Sequence, residues 1–131
     1  MSFKPIFFRD TLFGLIGIGF AVTVVAAPAA PEPPQVPFKY SLGVNKYQNS
    51  CAKCHGKWAQ GTDSGPPLIH PFYKPSHHPD RTFYRAVNKG VQAHHWNFGD
   101  MPPVAGLSNK DVAAIVEFVR WLQRDRGLYK E

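Results

Sequence analysis

Cys51, Cys54 and His55 are the residues with the clearest chemical capacity, in the run Cys51-Ala52-Lys53-Cys54-His55. They include both of the chain's cysteines. A C-x-x-C-H run is the pattern of covalent c-type heme attachment. Two thiols three residues apart on a helical turn can reach the two vinyl groups of one porphyrin, and the imidazole that follows can face the iron. The same pair could instead form a disulfide, or a thioredoxin-like redox pair, in an oxidising compartment. A thioredoxin-like site calls for a strand ahead of the motif, and the pattern ahead of this one is helical.

Histidines elsewhere in the chain could also bind a metal. Besides His55 the chain carries His70, His77, His78, His94 and His95. The pairs His77-His78 and His94-His95 could approach one another and hold copper or zinc, since imidazole suits both. Heme-propionate hydrogen bonds, loop packing and solvent exposure are the competing roles.

The first 29 residues read as an address. Lys4 and Arg9 precede an apolar run from Leu12 to Ala27, and small residues follow. This is the layout of a secretory signal peptide, with a cleavage position after Ala29. An uncleaved membrane anchor is the rival reading. The run spans about 24 Å at the rise of a helix, short for a hydrocarbon core about 30 Å thick. Either way the expected location is periplasmic, as a soluble domain or one anchored to the inner membrane. Residues 30–37 continue a proline-rich stretch, an extended and semi-rigid linker. Residues 38–131 then form one domain of about 94 residues, small enough for a cofactor in the core to help its stability.

The whole chain has net charge +6, and setting aside residues 1–27 with Lys4, Arg9 and Asp10 leaves +5. A basic exported domain suits an acidic partner or anionic lipid. An exported chain with no basic run is not built for nucleic acid.

Three helices can be placed. Gly43, Tyr47, Cys51 and Cys54 recur at spacings of four, four and three, which puts them on one face of a helix over residues 40–53. A second helix covers residues 80–90, with Phe83, Tyr84 and Val87 on one side and Gly90 as its stop. The third begins at the N-cap Ser108, with Asp111 three residues on as a capping-box-like partner, and ends at Gly127. Val112, Ile115, Val116, Val119 and Leu122 form its apolar stripe, and Arg120, Arg124 and Arg126 complement its dipole. No segment alternates with period two, so no sheet is expected. The loops 56–79 and 91–107 are long for a compact domain without a prosthetic group to wrap.

Taken in order, Gly43 and Tyr47, Cys51 to His55, Gly65-Pro66-Pro67-Leu68, Met101-Pro102-Pro103 and an aromatic-bearing last helix make the chain similar to the class I c-type cytochromes, the small bacterial monoheme ones in particular. The resemblance covers about 90 residues, nearly all of the domain. It implies an all-α cytochrome c fold, with about three main helices and long loops around one heme c bound through Cys51 and Cys54. In that family the imidazole corresponding to His55 is the proximal iron ligand. Its other ring nitrogen donates to the carbonyl of the proline at Pro66, and Leu68 packs on the heme. Met101 becomes the distal ligand, a soft thioether that raises the reduction potential. Trp96 would pack on the porphyrin, donate to a propionate or serve the core. Tyr47, Phe118 and Gly43 would serve the crossing of the first and last helices.

The function this implies is not enzymatic: a monoheme carrier passing single electrons between redox proteins, with both axial positions filled. Lys53, Lys57 and the 91–107 loop would ring the heme edge, facing a partner with an acidic docking surface. Two alternatives stay open. One is a heme-based enzyme subunit or ligand sensor whose Met101 is labile, or whose iron takes His94 or His95 instead. The other is a cytochrome with an additional His-rich copper or zinc site.

Overall fold

The computed structural model describes residues 33–130. The signal-peptide or anchor segment, residues 1–29, lies outside the described residues, as does the start of the proline-rich linker. Four helices follow one another: α1 (Ser41–Ser50), α2 (Ala52–His55), α3 (Arg81–Lys89) and α4 (Asn109–Asp125). Short 3-10 turns lie at Phe38–Tyr40 and Pro71–Tyr73. Among the described residues there is no strand, only the isolated bridges Thr62 to Gly65 and Val91 to Met101. The all-α architecture expected from the sequence is therefore present. No helix of the described residues is long and apolar enough to cross a membrane.

The expected helix over residues 40–53 is broken. Cys51 departs from helical geometry at φ −122°, so α1 stops at Ser50 and α2 begins at Ala52. The Cys51 N–H still reaches the Tyr47 carbonyl at 2.8 Å, and the His55 N–H reaches the Cys51 carbonyl at 3.0 Å. The break is thus a kink that keeps its hydrogen bonds while redirecting the cysteine-bearing turn. Tyr47, fully buried, fixes the far end of that turn by donating its hydroxyl to the Gly56 carbonyl at 3.0 Å.

Helix α4 is the backbone of the core. Ser108 and Asp111 close a reciprocal capping box at its start, satisfying donors that the first turn leaves free. Lys46 of α1 reaches the same carboxylate at 3.0 Å. Val112, Ile115, Val116, Phe118, Val119 and Leu122 are buried along one side. Helix α1 crosses α4 at Gly43, where a Cβ would run into the Ala114 carbonyl oxygen and come within 2.8 Å of the Phe118 Cβ. Only a residue without a side chain lets the helices approach this closely. The Tyr47 and Phe118 rings meet edge to face at 5.4 Å between centroids, a preferred aromatic geometry. Trp121 stacks with Tyr40 at 5.5 Å, and Val36, at the end of the linker, packs against the same core.

Arg120, expected to complement the helix dipole in a last turn, is buried and turns its guanidinium to the 56–79 loop and Asp80 instead. Its Nε donates to Asp80 at 2.8 Å, and its two terminal nitrogens donate to the Tyr73 and His78 carbonyls. Gln123, also buried, donates to the Leu68 carbonyl at 2.8 Å and to the Tyr73 carbonyl at 3.1 Å. Between them, two side chains of α4 satisfy backbone oxygens of the 56–79 loop, which a buried loop cannot leave bare. Arg120 also lies over the Phe83 ring, 5.1 Å from its centroid.

Candidate functional site

The loops and helices enclose a cleft of about 1050 Å³, counting its open mouth. Cys51, His55, Pro66, Leu68, Trp96 and Met101 all border it. These residues come from three separate stretches of the sequence, and the fold brings them to one place. Cys54 is not among the bordering residues. It sits half-buried in α2, with the Gly65 backbone against it and its carbonyl accepting from Thr62 Oγ1 at 2.6 Å. Val87, Val112 and Ile115 supply an apolar wall.

The His55 ring is oriented by one bond. Its Nδ1 lies 2.9 Å from the Pro66 carbonyl oxygen, so Nδ1–H is the donor and Nε2 keeps its lone pair. Such a partner fixes both tautomer and orientation in metal-binding histidines. Burial pushes the His55 pKa down, and the bond to Pro66 offsets part of that. A neutral imidazole is the form that binds a metal. Cys51 and Cys54 are free thiols. Burial, with the neighbouring Cys54, pushes the Cys51 pKa up to about 11. A thioredoxin-like site calls for a strand ahead of the motif, and helix α1 stands there instead.

Met101 is held by its backbone. It exchanges two hydrogen bonds with Val91, each 2.9 Å, which closes the 91–101 loop at its base. Gly90 ends α3 at φ +73°, and a Cβ there would strike the Met101 carbonyl oxygen. Only glycine takes that conformation readily. The Val104 N–H then bonds the Val87 carbonyl at 2.8 Å, and Asp100 accepts from the Ala93 N–H at 2.9 Å. The methionine is thus anchored to α3 although it lies in a loop.

Trp96 has a buried indole N–H with no acceptor of hydrogen-bonding geometry. The N–H leans toward the Tyr73 hydroxyl, whose pKa burial raises and the indole partly lowers again. Buried donors are rarely left without a partner, and this one belongs to a residue on the cleft wall.

The histidines gather at the mouth. His77 and His95 face each other, Nε2 to Nε2 at 3.2 Å. His78 stacks on His94 at 5.8 Å between centroids, and the Phe72 ring lies on His95 at 4.3 Å. His78, His94 and His95 also border the cleft. Desolvation, the neighbouring imidazoles and Arg120 lower the His78 pKa against the pull of its bond to Phe72, and desolvation with the neighbouring imidazoles does the same to His95. His70 stands apart in role, since its Nδ1 accepts the Phe72 N–H at 3.3 Å and caps the 3-10 turn.

The residues that sequence reasoning missed are Arg120 and Gln123, which hold the loop carrying Leu68 and Tyr73. A signal was present: Arg120 follows Val116 by four residues and Gln123 follows Val119 by four, so both extend the apolar stripe.

A comparison with protein families matches residues 40–123 to the family described as Cytochrome c. No curated protein and no solved structure matches the chain. The family's chemistry is heme-based electron transfer, its usual members are electron carriers, and its cofactor is heme c. The cleft fits that cofactor: apolar walls, an imidazole with Nε2 free, a thioether, a thiol and a buried indole donor in need of an acceptor. The match takes in more than half of the chain, including all four helices up to Gln123, and on that ground this protein belongs to the cytochrome c family.

Proposed function

We propose that this protein is an extracytoplasmic, monoheme carrier of single electrons, with heme c joined to Cys51 and Cys54 and its iron held by His55 Nε2 and Met101 Sδ. Heme bound here supplies one-electron chemistry between Fe(III) and Fe(II). The chain's own residues do the rest. His55 presents a neutral imidazole because Pro66 takes its other ring proton. Met101 offers a soft donor from a loop that Gly90 and Val91 anchor. Leu68, Val87, Val112 and Ile115 exclude water, and Trp96 Nε1 offers a donor to a propionate. With heme bound, His55 and Met101 would both be committed to the iron, which favours carriage over catalysis.

The observation that carries this reading is the joint presence of His55, oriented by Pro66, and Met101 on one cleft. Residues 1–29 direct the chain to the periplasm, as a cleaved signal peptide or an anchor. The exposed Lys53 and Lys57 give the edge near the motif a positive face, suited to transient contact with an acidic redox protein.

The Met101→Ala variant tests the reading. Its reduction potential falls by a sizeable part of the roughly 0.8 V that axial ligands command, and the ferrous protein gains rapid binding of carbon monoxide. An unchanged potential with no ligand binding would remove Met101 from the iron. Rapid carbon monoxide binding by the unmodified protein would favour the sensor or enzyme reading instead.

A further inference from the structure

We propose that His77, His78 and His95 form a binding site for one divalent copper or zinc ion at the mouth of the cleft, bridging its two long loops. One ring nitrogen from each of the three lies within 4.8 Å of the others. The His77 and His95 Nε2 atoms are 3.2 Å apart. Two nitrogens bound to one zinc at 2.0–2.1 Å in a tetrahedral arrangement sit about 3.3–3.4 Å apart. The two rings therefore already stand at the separation a shared cation imposes.

The supporting contacts are those of a ligand set. His78 Nδ1 faces the Phe72 carbonyl oxygen, the backbone partner that fixes tautomer in metal-binding histidines. Phe72 lies nearly parallel to His95, 21° between planes, and holds that ring in place. His77 and His78 are set by bonds from both of their backbone N–H groups to the Lys74 carbonyl. His77 is exposed, which leaves an approach for the ion and for a water as further ligand. His94, its ring 4.3 Å from that of His95, stands ready as a fourth imidazole.

An all-imidazole set without thiolate or carboxylate suits zinc and copper over magnesium or calcium, and copper binds more tightly of the two. Arg120, a positive group beside His78, turns its charge to Asp80 and to the backbone oxygens of Tyr73 and His78. The consequence of the site is mechanical: His77 and His78 belong to the 56–79 loop and His95 to the 91–107 loop that carries Met101. An ion here ties the two loops together across the cleft mouth.

The test uses tag-free, heme-loaded protein, dialysed against Cu²⁺ or Zn²⁺ alone, with metal content and thermal unfolding as readouts. The expected result is one equivalent bound per chain, a raised unfolding temperature, and nitrogen couplings in the copper electron paramagnetic resonance spectrum. His77→Ala and His95→Ala each weaken binding at least tenfold and abolish the thermal shift. His70→Ala binds within about threefold of the unmodified chain. His77 is exposed, so its variant keeps the fold, checked by an unchanged heme spectrum. Absence of stoichiometric binding overturns the proposal. So does binding by His77→Ala or His95→Ala as tight as that of the unmodified chain, or a loss in His70→Ala as large as the one expected of them.

Discussion

His55 Nδ1 sits 2.9 Å from the Pro66 carbonyl oxygen, a bond between the attachment motif and a turn eleven residues downstream. The turn is seated by Gly65, where a Cβ would come within 2.9 Å of the Cys54 carbonyl oxygen and 3.0 Å of its Cβ. Gly65→Val therefore pushes the turn away and weakens the bond to His55. The imidazole becomes a poorer donor, ferric iron is less stabilised, and the reduction potential rises. Voltammetry of the heme-loaded variant checks the direction; an unchanged or lower potential would show that this bond does not tune the ligand.

Gly90→Ala acts on Met101, the residue that would supply the second iron ligand. The variant asks alanine to adopt φ +73° and to place a Cβ against the Met101 carbonyl oxygen, two costs at one position. The base of the 91–101 loop opens, and Met101 is released for part of the population while heme stays attached. The measured sign is carbon monoxide binding to the ferrous variant at least tenfold faster than to the unmodified protein.

Arg120→Ala removes the donor to four acceptors at once: Asp80, the Gln123 side-chain oxygen, and the Tyr73 and His78 carbonyls. Two of them are carbonyls of the 56–79 loop; the His78 oxygen loses its donor while the Tyr73 oxygen keeps Gln123, and an acceptor left bare costs about 1–3 kcal/mol. The expected loss is about 3 kcal/mol in denaturant unfolding. Asp80→Asn, at an exposed carboxylate, costs about 0–1 kcal/mol. Equal losses in the two variants would mean that the ion pair, not the loop carbonyls, is what Arg120 serves.

Asp111 gives the fold an acid dependence. Hydrogen bonds from the Ser108 hydroxyl, then Lys46 and the Ser108 N–H, hold its pKa at about 2, below the ordinary 3.8. The folded state favours the charged form, so the stabilisation is complete above the ordinary value and is lost as pH falls toward 2. The stability gap between the unmodified protein and Asp111→Asn is therefore constant from neutral pH to about 4 and narrows below it. Urea titrations at stepped pH read the gap directly.

How much of this was legible in the sequence depended on how local each signal was. The attachment motif lies in five consecutive residues, and α4 announces itself through Ser108, Asp111 and a regular stripe. Helix α3 was placed within one residue at each end. The kink at Cys51 was not legible, because its cause is the tertiary seating of the motif turn by Tyr47 and Gly56. Arg120 and Gln123 were hidden for a related reason. A polar residue on an apolar stripe shows its role only when the loop oxygens it meets are in place. The histidine pairs were visible as pairs, but the facing of His77 and His95 requires two loops to meet, which no spacing encodes.

The central claim is that this cleft holds one heme joined through Cys51 and Cys54. Intact mass spectrometry of the native protein after acid denaturation tests it most directly. The expected polypeptide is heavier by the mass of a single heme, and the Cys51→Ala/Cys54→Ala double variant loses that mass. A native polypeptide at its bare mass, with the heme released by the acid, would contradict the account.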